Sequence, residues 1–230
     1  MEKDRAVKIV LFGATGMVGQ GVLRECLLDT DVQGVLSIGR SKTGQSHDKL
    51  REIVRQDLAD LADIDHELRE YDACFFCLGV SSASMTEADY WNVTYGLTMA
   101  VARTLARLSP GMTFIYVSGA GTDSTVSGRF MWARVKGKTE NDLLQLPFKA
   151  AYMFRPGFIQ PLHGIRSKTA LYRILYTAMG PLIPLLMAVA PRYVTTTERM
   201  GRAMIEAARH GAPKAVLESQ DINKLAEIRL

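Results

Sequence analysis

A glycine-rich turn near the amino terminus constrains this chain more than any other feature of its sequence. The apolar run Val7–Phe12 leads into three glycines spaced three residues apart, Gly13, Gly16 and Gly19, and apolar residues then recur at helical spacing. Strand, turn and helix therefore follow one another in the order found where a helix amino terminus binds a phosphate group. This order predicts a dinucleotide site rather than a turn without a ligand.

Each glycine of the turn has an expected role. Gly13 allows the tight turn, Gly16 lets the backbone approach a pyrophosphate, and Gly19 lets the helix pack close to the strand. The other residues of the turn that are predicted to line the cofactor are Thr15, Met17 and Val18.

Apolar runs and helical stretches alternate along the rest of the chain. Strands are predicted at residues 34–38, 53–57, 73–78, 113–117 and 151–154, and helices at about 87–108, at about 130–146 and from Thr195 onward. This alternation predicts an α/β fold with a doubly wound parallel sheet, the Rossmann fold. No repeat, low-complexity segment or linker divides the chain, so residues 1–230 are predicted to form a single domain. Within it, residues 158–197 are predicted to be a C-terminal segment that covers the substrate.

The helix at 87–108 is expected to bury one apolar side. Its apolar residues recur at intervals of three or four, and the Ser109–Gly111 triplet SPG ends it. The residues expected on the buried side are Val93, Leu97, Val101, Leu105 and Leu108.

The charge and the cysteine content of the chain bear on which partners it binds and where in the cell it is located. The net charge is +4 and the pI is near 9.0, but Lys and Arg are scattered rather than clustered. This distribution argues against a nucleic-acid surface, and a polyanionic cofactor is sufficient to explain a basic chain. The chain opens with MEKDR rather than with a signal peptide, and its three cysteines cannot all pair, so a cytoplasmic location is predicted.

Cysteine and histidine do not indicate a metal. Cys74 and Cys77 form a CxxC, but they lie in an apolar run whose alternation places them on opposite faces of a strand. The four histidines have no ligand spacing between them and no Cys or carboxylate cluster to join. No metal is predicted.

A long uncharged run precedes the last predicted helix. Residues 174–190 contain no charged residue, but the run is shorter than the ~20 residues needed to span a bilayer, and Gly180, Pro181 and Pro184 interrupt it. A substrate-covering or core segment is favoured. The alternatives are attachment to a membrane surface and a homodimer interface.

The end of the second strand bears on the choice of cofactor. An Asp or Glu at this point binds the ribose 2′-hydroxyl of NAD, whereas a basic residue accommodates the 2′-phosphate of NADP. Here the chain reads Ile38-Gly39-Arg40-Ser41-Lys42, without a carboxylate. Because Arg40 can fork onto a phosphate and Ser41 adds a hydroxyl donor, NADP is preferred over NAD.

With these motifs in order, the chain resembles the short-chain dehydrogenase/reductase superfamily, in particular its small atypical branch with a GATGxxG fingerprint. That branch includes the Tat-interacting-protein-like oxidoreductases and is akin to the NAD-dependent epimerase/dehydratases. The resemblance covers nearly the whole chain. Besides the glycine turn, it rests on Asp57-Leu58, Cys77-Leu78-Gly79, Asn92-Val93, Val117-Ser118, Lys136 and Arg155-Pro156-Gly157.

The resemblance implies roles for these residues. Asp57 would contact the adenine amine, Leu58 the adenine ring, and Gly79 would let the cofactor pass. Asn92, Ser118 and Lys136 would match three members of the family's catalytic four, with Lys136 also holding the nicotinamide ribose. The remaining residues implied to lie along the cofactor are Cys77, Leu78, Pro156, Gly157, Phe158 and Ile159.

The fourth catalytic member is where this chain departs from the family. The resemblance implies a tyrosine four residues before the lysine, whose hydroxyl passes a proton to or from the substrate oxygen. Trp132 occupies that position, and no tyrosine lies between Val117 and Ala151. An indole donates a hydrogen bond but does not give up its proton at working pH.

Three interpretations of this departure stay open. Ser118, a water, or a tyrosine elsewhere supplies the proton; the substrate needs little acid help; or the fold binds NADP(H) without turnover. The candidate tyrosines are Tyr95, Tyr116 and Tyr193. The predicted function is an NADP(H)-dependent oxidoreductase acting on a small, apolar carbonyl or alcohol, and the alternative is an NADP(H)-binding sensor or regulator.

Overall fold

A seven-stranded parallel sheet forms the centre of the protein. The computed structural model describes residues 6–165 and 193–228. The strands of the sheet are β1 Val7–Phe12, β2 Val32–Gly39, β3 Leu50–Val54, β4 Ala73–Phe76, β5 Thr113–Val117, β6 Ala150–Arg155 and β9 Val216–Glu218. A separate parallel pair is formed by β7 Phe158–Gln160 and β8 Val194–Thr196. The order across the sheet is β3-β2-β1-β4-β5-β6-β9, and its reversal between β1 and β4 is that of a dinucleotide-binding sheet.

Helices cover both faces of the sheet. They are α1 Met17–Leu28, α2 Glu87–Trp91, α3 Leu97–Leu108, α4 Met131–Leu143, α5 Thr197–His210 and α6 Ser219–Glu227, with a 3₁₀ helix at Ala62–Glu67. On one face α1, α5 and α6 bury a core that includes Ile9 and Leu11 of β1, and on the other face a second core includes Val10 and Phe12 of the same strand. The predicted doubly wound α/β fold is confirmed. Because β1 is apolar on both faces, it is the central strand that the sequence indicated.

Two strand boundaries differ from the prediction. The third strand was expected at 53–57 but lies at Leu50–Val54, and the fourth was expected to reach residue 78 but ends at Phe76. Strand β3 is an edge strand whose side chains are half-buried or exposed, so only Ile53 and Val54 marked it in the sequence. After β4 the chain passes close to the backbone of Gly13. A Cβ at Gly13 would lie 2.8 Å from the Cys77 carbonyl, so this close approach requires a glycine.

The helix predicted at 87–108 contains a π-helical turn. α2 and α3 are joined by Asn92–Gly96, which follows the π pattern. The extra residue of a π turn rotates the helix before it relative to the helix after it. Val93, expected on the buried side, is therefore 42% exposed, and Thr94 is buried in its place and accepts a hydrogen bond from Thr98 Oγ1 at 2.6 Å.

The carboxy-terminal part completes the sheet edge. Helix α5 begins as predicted at the threonine cluster, where Thr196 Oγ1 accepts from the Arg199 amide at 3.0 Å. The apolar run near residue 216, for which no strand was predicted, forms β9 and pairs with β6 at the edge of the sheet. Residues 166–192 lie outside the described residues, and with them the uncharged run 174–190 and most of the segment 158–197 predicted to cover the substrate. The single-domain boundaries 1–230 stay a prediction.

Helix α1 packs closely against the start of α5, which gives a testable stability effect. A Cβ at Gly21 would lie 2.5 Å from Thr197 Cβ and 2.8 Å from its carbonyl oxygen. Gly21→Ala is therefore expected to destabilise the fold by about 1–3 kcal/mol through overpacking. Gly111→Ala is the control, since a Cβ there meets no atom within 4 Å. Urea unfolding measures both, and equal effects of the two substitutions would contradict this packing.

Candidate functional site

The glycine turn places the amino terminus of α1 at the carboxyl end of β1. Helix α1 begins at Met17, its N-cap Gly16 makes no side-chain hydrogen bond, and its first turn contains no acidic residue. A Cβ at Gly19 would lie 2.0 Å from the Gly13 carbonyl oxygen, so only glycine allows this close approach of helix and strand. The amides of the first turn have no intrahelical acceptor and are not satisfied by a cap. They fit the phosphates of a dinucleotide.

The residues predicted on the adenosine side lie along the ends of β2 and β3. Arg40 and Ser41 follow β2 and are both exposed. Asp57 is exposed, and its Oδ1 accepts from the Ala59 amide at 2.8 Å. Leu58, by contrast, is 5% exposed and packs into the core, and its contact with an adenine ring stays a prediction.

The residues that follow β4 lie directly beside the glycine turn. Cys77 donates its amide to Phe12 O at 2.9 Å, and Leu78 packs partly into the core. A Cβ at Gly79 would meet no atom within 4 Å, so the space beside it is open. Cys74 belongs to one core and Cys77 packs against the other, as their spacing predicted. Burial raises the pKa of the Cys77 thiol to about 12.

A buried ionic network joins α4 to the carboxyl ends of β5 and β6. Glu140 of α4 is 1% exposed, and Arg155 at the end of β6 donates to it from Nε at 3.0 and 3.1 Å and from Nη2. Ser118 Oγ donates to Glu140 Oε1 at 2.5 Å and lies 3.2 Å from Phe154 O. Lys136 Nζ donates to the Ser118 carbonyl oxygen. Two predicted catalytic residues, Ser118 and Lys136, are therefore brought together.

Glu140 is the member of this network that was not predicted from the sequence. It lies one helical turn after Lys136, and the same spacing puts it on the inward stripe of α4 with Ala133 and Gly137. A carboxylate on an apolar stripe was the available signal, because a charge is buried only where a partner compensates it. Arg155 belongs to a predicted motif, but its partner was not predicted.

The two remaining predicted catalytic positions lie at the two helices that pack beside this network. Trp132 is half-buried one turn before Lys136, and a Cβ at Gly121 would lie 3.4 Å from its Cη2. Asn92 is exposed and begins the π turn, which packs against α4. Their roles in catalysis stay predictions.

The segment after β6 closes the edge of the site. Pro156 O accepts from the Ala120 amide at 2.8 Å, and the Gly157 amide donates to Ser219 Oγ at 2.8 Å. Phe158 is half-buried, and its amide donates to Tyr193 O at 2.8 Å. Ile159 is buried in the core beside α5, so its side chain does not face the edge of the sheet.

Two of the three candidate tyrosines are held away from a substrate. Tyr116 is 1% exposed in the core, and burial raises the pKa of its hydroxyl far above the usual value. Tyr95 donates its hydroxyl to Asp142 Oδ2 at 2.6 Å, and this hydrogen bond raises its pKa. Tyr193 is 55% exposed beside Gly157.

His163 does join a carboxylate cluster, which corrects the prediction from the sequence. Its Nε2 lies 2.6 Å from Glu198 Oε2, and ligand atoms of Glu25, His163 and Glu198 lie within 4.8 Å of one another. Glu25 pairs with Arg24 and with Arg202 Nε at 3.2 Å, and Arg202 also pairs with Glu198 at 2.9 Å. The two arginines balance the two carboxylates, and the predicted lack of a metal stays a prediction.

The comparisons with known proteins agree with this fold. The sequence profile of the NAD-dependent epimerase/dehydratase family matches residues 9–130, a little over half of the chain. The chain belongs to the NAD-dependent epimerase/dehydratase family.

Curated relatives are fungal. The mitochondrial protein FMP52 of Meyerozyma guilliermondii is 23% identical over 231 residues, which is 96% of both chains. The mitochondrial protein FMP52-1 of Scheffersomyces stipitis is 28% identical over 151 residues, 65% of this chain and 66% of the relative. Because such relatives are named as mitochondrial proteins, the predicted cytoplasmic location is wrong.

Solved structures share the fold over almost the whole chain. The Bordetella bronchiseptica enzyme WbmF in complex with NADH has a TM-score of 0.68 at 16% identity and covers 99% of this chain and 78% of its own. The short-chain dehydrogenase/reductase YIR035C of Saccharomyces cerevisiae has a TM-score of 0.67 at 13% identity, with 96% and 98% covered. The resemblance to the short-chain dehydrogenase/reductase superfamily is confirmed at the level of fold. Within the described residues, no helix has the length and apolar character needed to cross a bilayer.

The burial of Lys136 predicts a pH-dependent stability. Burial lowers the pKa of its ammonium to about 8 from 10.5, and the nearby Glu140 carboxylate opposes this shift. Between these two pKa values the unfolded chain binds one proton more than the folded protein, so the free energy of unfolding rises with pH. Below pH 8 Lys136 is protonated in both states, and its contribution to the free energy of unfolding does not change with pH. Relative to Lys136→Met, the wild type should gain up to about 1.4 kcal/mol per pH unit in this window.

Urea unfolding of both proteins between pH 6 and 10 measures this difference. Lys138→Met is the matched control, because the hydrogen bond with Asp142 raises the pKa of Lys138 and any loss begins only above this window. Parallel stability curves for wild type and Lys136→Met would contradict the burial of a titrating Lys136.

Proposed function

We propose that the protein is an oxidoreductase that binds NADP(H) along the carboxyl ends of the strands and acts on a small, apolar carbonyl or alcohol. A nicotinamide cofactor, when bound, supplies or accepts the hydride. The observation that carries the proposal is that an uncapped helix amino terminus at β1 and the pair Ser118 and Lys136 at β5 lie along one edge of a parallel sheet. Ligands of open parallel sheets bind at this edge, where the strand order reverses.

The protein's own residues divide this edge into two halves. The amides at Met17, Val18 and Gly19 would hold the pyrophosphate near the reversal point between β1 and β4. The adenosine would then extend over β2 and β3, and the nicotinamide over β5 and β6. Lys136 lies on the nicotinamide side, where its ammonium can hold the ribose hydroxyls.

Exposed aromatic side chains support an apolar substrate. Phe130 is 63% exposed at the N-cap of α4, two residues before Trp132, and Tyr193 is exposed beside Gly157. Trp132 presents an indole where a tyrosine hydroxyl is expected. These surfaces favour burial of an apolar group over binding of a charged one.

The preference for NADP over NAD rests on Arg40. It is exposed immediately after β2, where the 2′-phosphate of NADP would lie, and residues 38–42 contain no carboxylate to bind a free 2′-hydroxyl. Ser41 adds a hydroxyl donor at the same place.

Arg40→Ala should lower the affinity for NADP(H) and leave that for NAD(H) nearly unchanged. Loss of a hydrogen bond to a charged group corresponds to about tenfold or more in the ratio of the two Kd values. Arg69→Ala is the control, because Arg69 is also exposed but lies beyond the opposite end of the sheet, before β4. Calorimetric titration with each cofactor measures the ratio, and an unchanged ratio in Arg40→Ala would remove the reason for proposing NADP.

A second candidate function is supported by Trp132. A protein that binds NADP(H) without turnover, as a sensor or regulator, needs the glycine turn but not a tyrosine that passes a proton. The two functions differ in whether bound cofactor is consumed.

Single-turnover oxidation of bound NADPH with a panel of aromatic aldehydes and ketones separates them. The oxidoreductase should consume the cofactor, and Trp132→Tyr should raise the rate about tenfold or more, because a hydroxyl then lies one turn before Lys136. Trp132→Phe, which has no hydroxyl, is the control and should give no gain. Tight binding of cofactor without oxidation by any of these proteins would favour the sensor.

A further inference from the structure

We propose that Lys136 itself exchanges the proton with the substrate oxygen, in the place of the tyrosine that this chain lacks. The inference rests on the proposed function, because it concerns the same site and the same hydride transfer. Its basis is the arrangement of hydroxyls and charges around the end of β5, which among the residues that the structure describes there favours the Lys136 ammonium as the proton source.

The position of Lys136 suits this role. It follows Trp132 by one turn of α4, so that both side chains lie on one side of the helix. Its Nζ reaches the carbonyl oxygen of Ser118 at the end of β5, on the nicotinamide half of the edge. An ammonium has three N–H donors, and this contact uses one of them.

Ser118 is not available as the proton donor. Its hydroxyl proton is directed at Glu140 Oε1, 2.5 Å away, and its oxygen is also close to Phe154 O. A serine hydroxyl has one proton. Toward any other group, therefore, Ser118 acts as an acceptor, and its residual exposure is only 7%.

Two of the three candidate tyrosines are excluded as proton donors by their contacts. Tyr116 is fully enclosed in the core, and Tyr95 donates to Asp142 beside Lys138. Tyr193 is exposed next to Gly157 and is the rival proton donor, to be tested alongside Lys136.

The charges around Lys136 explain why it can lose a proton near neutral pH. On its own helix it faces Glu140, but Arg155 from β6 forms an ion pair with that carboxylate, and Glu218 of β9 lies 3.8 Å from Arg155 Nη1. Asp123, in the loop before α4, also acts on Arg155. Because Arg155 already balances Glu140, burial prevails, and the pKa of Lys136 falls to about 8. A general acid or base is most effective when its pKa lies near the working pH.

The proposed step is balanced for carbonyl reduction. A bound dihydronicotinamide would supply the hydride with its electron pair to the carbonyl carbon, and the C=O π electrons would move to the oxygen. That oxygen takes a proton from Lys136 Nζ, so an O–H bond forms as an N–H bond breaks. Lys136 is left as a neutral amine, which regains a proton from water; alcohol oxidation follows the reverse path.

The first test uses the cofactor-free protein and needs no substrate. Amine labelling with acetic anhydride from pH 6 to 11, read by mass spectrometry, should give a midpoint near 8 for Lys136 and a midpoint higher than that of an ordinary lysine for Lys138 of the same helix, whose pKa is raised by the hydrogen bond with Asp142. Glu140→Gln should lower the Lys136 midpoint further, because it removes the carboxylate that favours the ammonium. A Lys136 midpoint above 10 in the wild type overturns the proposal.

The second test separates charge from proton transfer. Lys136→Arg keeps a positive charge and hydrogen-bond donors but does not release a proton. NADPH affinity, followed by fluorescence titration, should stay within a few-fold of wild type, while single-turnover reduction of 4-nitrobenzaldehyde and the wider aldehyde and ketone panel at pH 7 should fall about 100-fold or more. In the wild type this rate should be constant below pH 8 and fall about tenfold per pH unit above it. Lys138→Arg is the matched control and should keep both the rate and the profile.

The outcomes distinguish the two proposals. If neither NADPH nor NADH binds, the proposed function fails. If cofactor binds but no carbonyl is reduced, the proposed oxidoreductase function fails and the role of Lys136 fails with it. If carbonyls are reduced but Lys136→Arg keeps the wild-type rate, the role of Lys136 alone is overturned. A loss in Tyr193→Phe as large as that in Lys136→Arg would assign the proton to Tyr193 and would also overturn it.

Discussion

The buried carboxylate of Glu140 is the interaction on which the candidate site depends. It joins three parts of the chain, because Arg155 of β6 and Ser118, which directly follows β5, both donate to it from outside its own helix α4. Breaking a buried ion pair by removing one partner is costly, commonly about 3–5 kcal/mol, whereas a well-packed apolar replacement of both partners is often neutral. We therefore infer that the ion pair of Glu140 and Arg155 positions Ser118 and Lys136 and adds little net stability to the fold.

The glycine turn is the second constraint, and it acts at the other half of the same edge. Gly13 and Gly19 let α1 approach β1 and the Cys77 backbone more closely than any side chain would allow. The parallel order of β1, β4, β5 and β6 then puts the uncapped start of α1 in line with the Glu140 network. One sheet edge thus offers unpaired amides at one point and a half-buried ammonium at another, which is an arrangement suited to an extended, anionic cofactor.

Trp132 occupies the position at which the resemblance to the short-chain dehydrogenase/reductases implies a tyrosine. In place of a titratable hydroxyl it offers an apolar ring with one weakly acidic N–H. Among the described residues, Ser118 donates its hydroxyl to Glu140 and Tyr95 donates its hydroxyl to Asp142, so neither replaces the missing tyrosine hydroxyl. Lys136 is a titratable group in a low-dielectric environment, and the carboxylate nearest to it is already paired with Arg155. In this proposal, the ability of the site to exchange a proton depends more on the charges around Lys136 than on the residue at position 132.

The amino-acid sequence by itself determined the fold class, the glycine turn at Gly13–Gly19 and the helix start at the threonine cluster, because apolar periodicity, turn residues and helix caps are local features of the chain. The edge strand near residue 216 was decided by its pairing with β6, more than 60 residues away. Tertiary structure alone decided the extent of β3, whose half-exposed residues carry little apolar signal, and the π turn that turns Val93 outward. It also decided that Glu140 meets Arg155 and Ser118, which lie 15 and 22 residues away in the chain. The physical reason is that periodicity records which side of an element is buried, whereas the pairing of buried charges depends on how elements from distant parts of the chain come together.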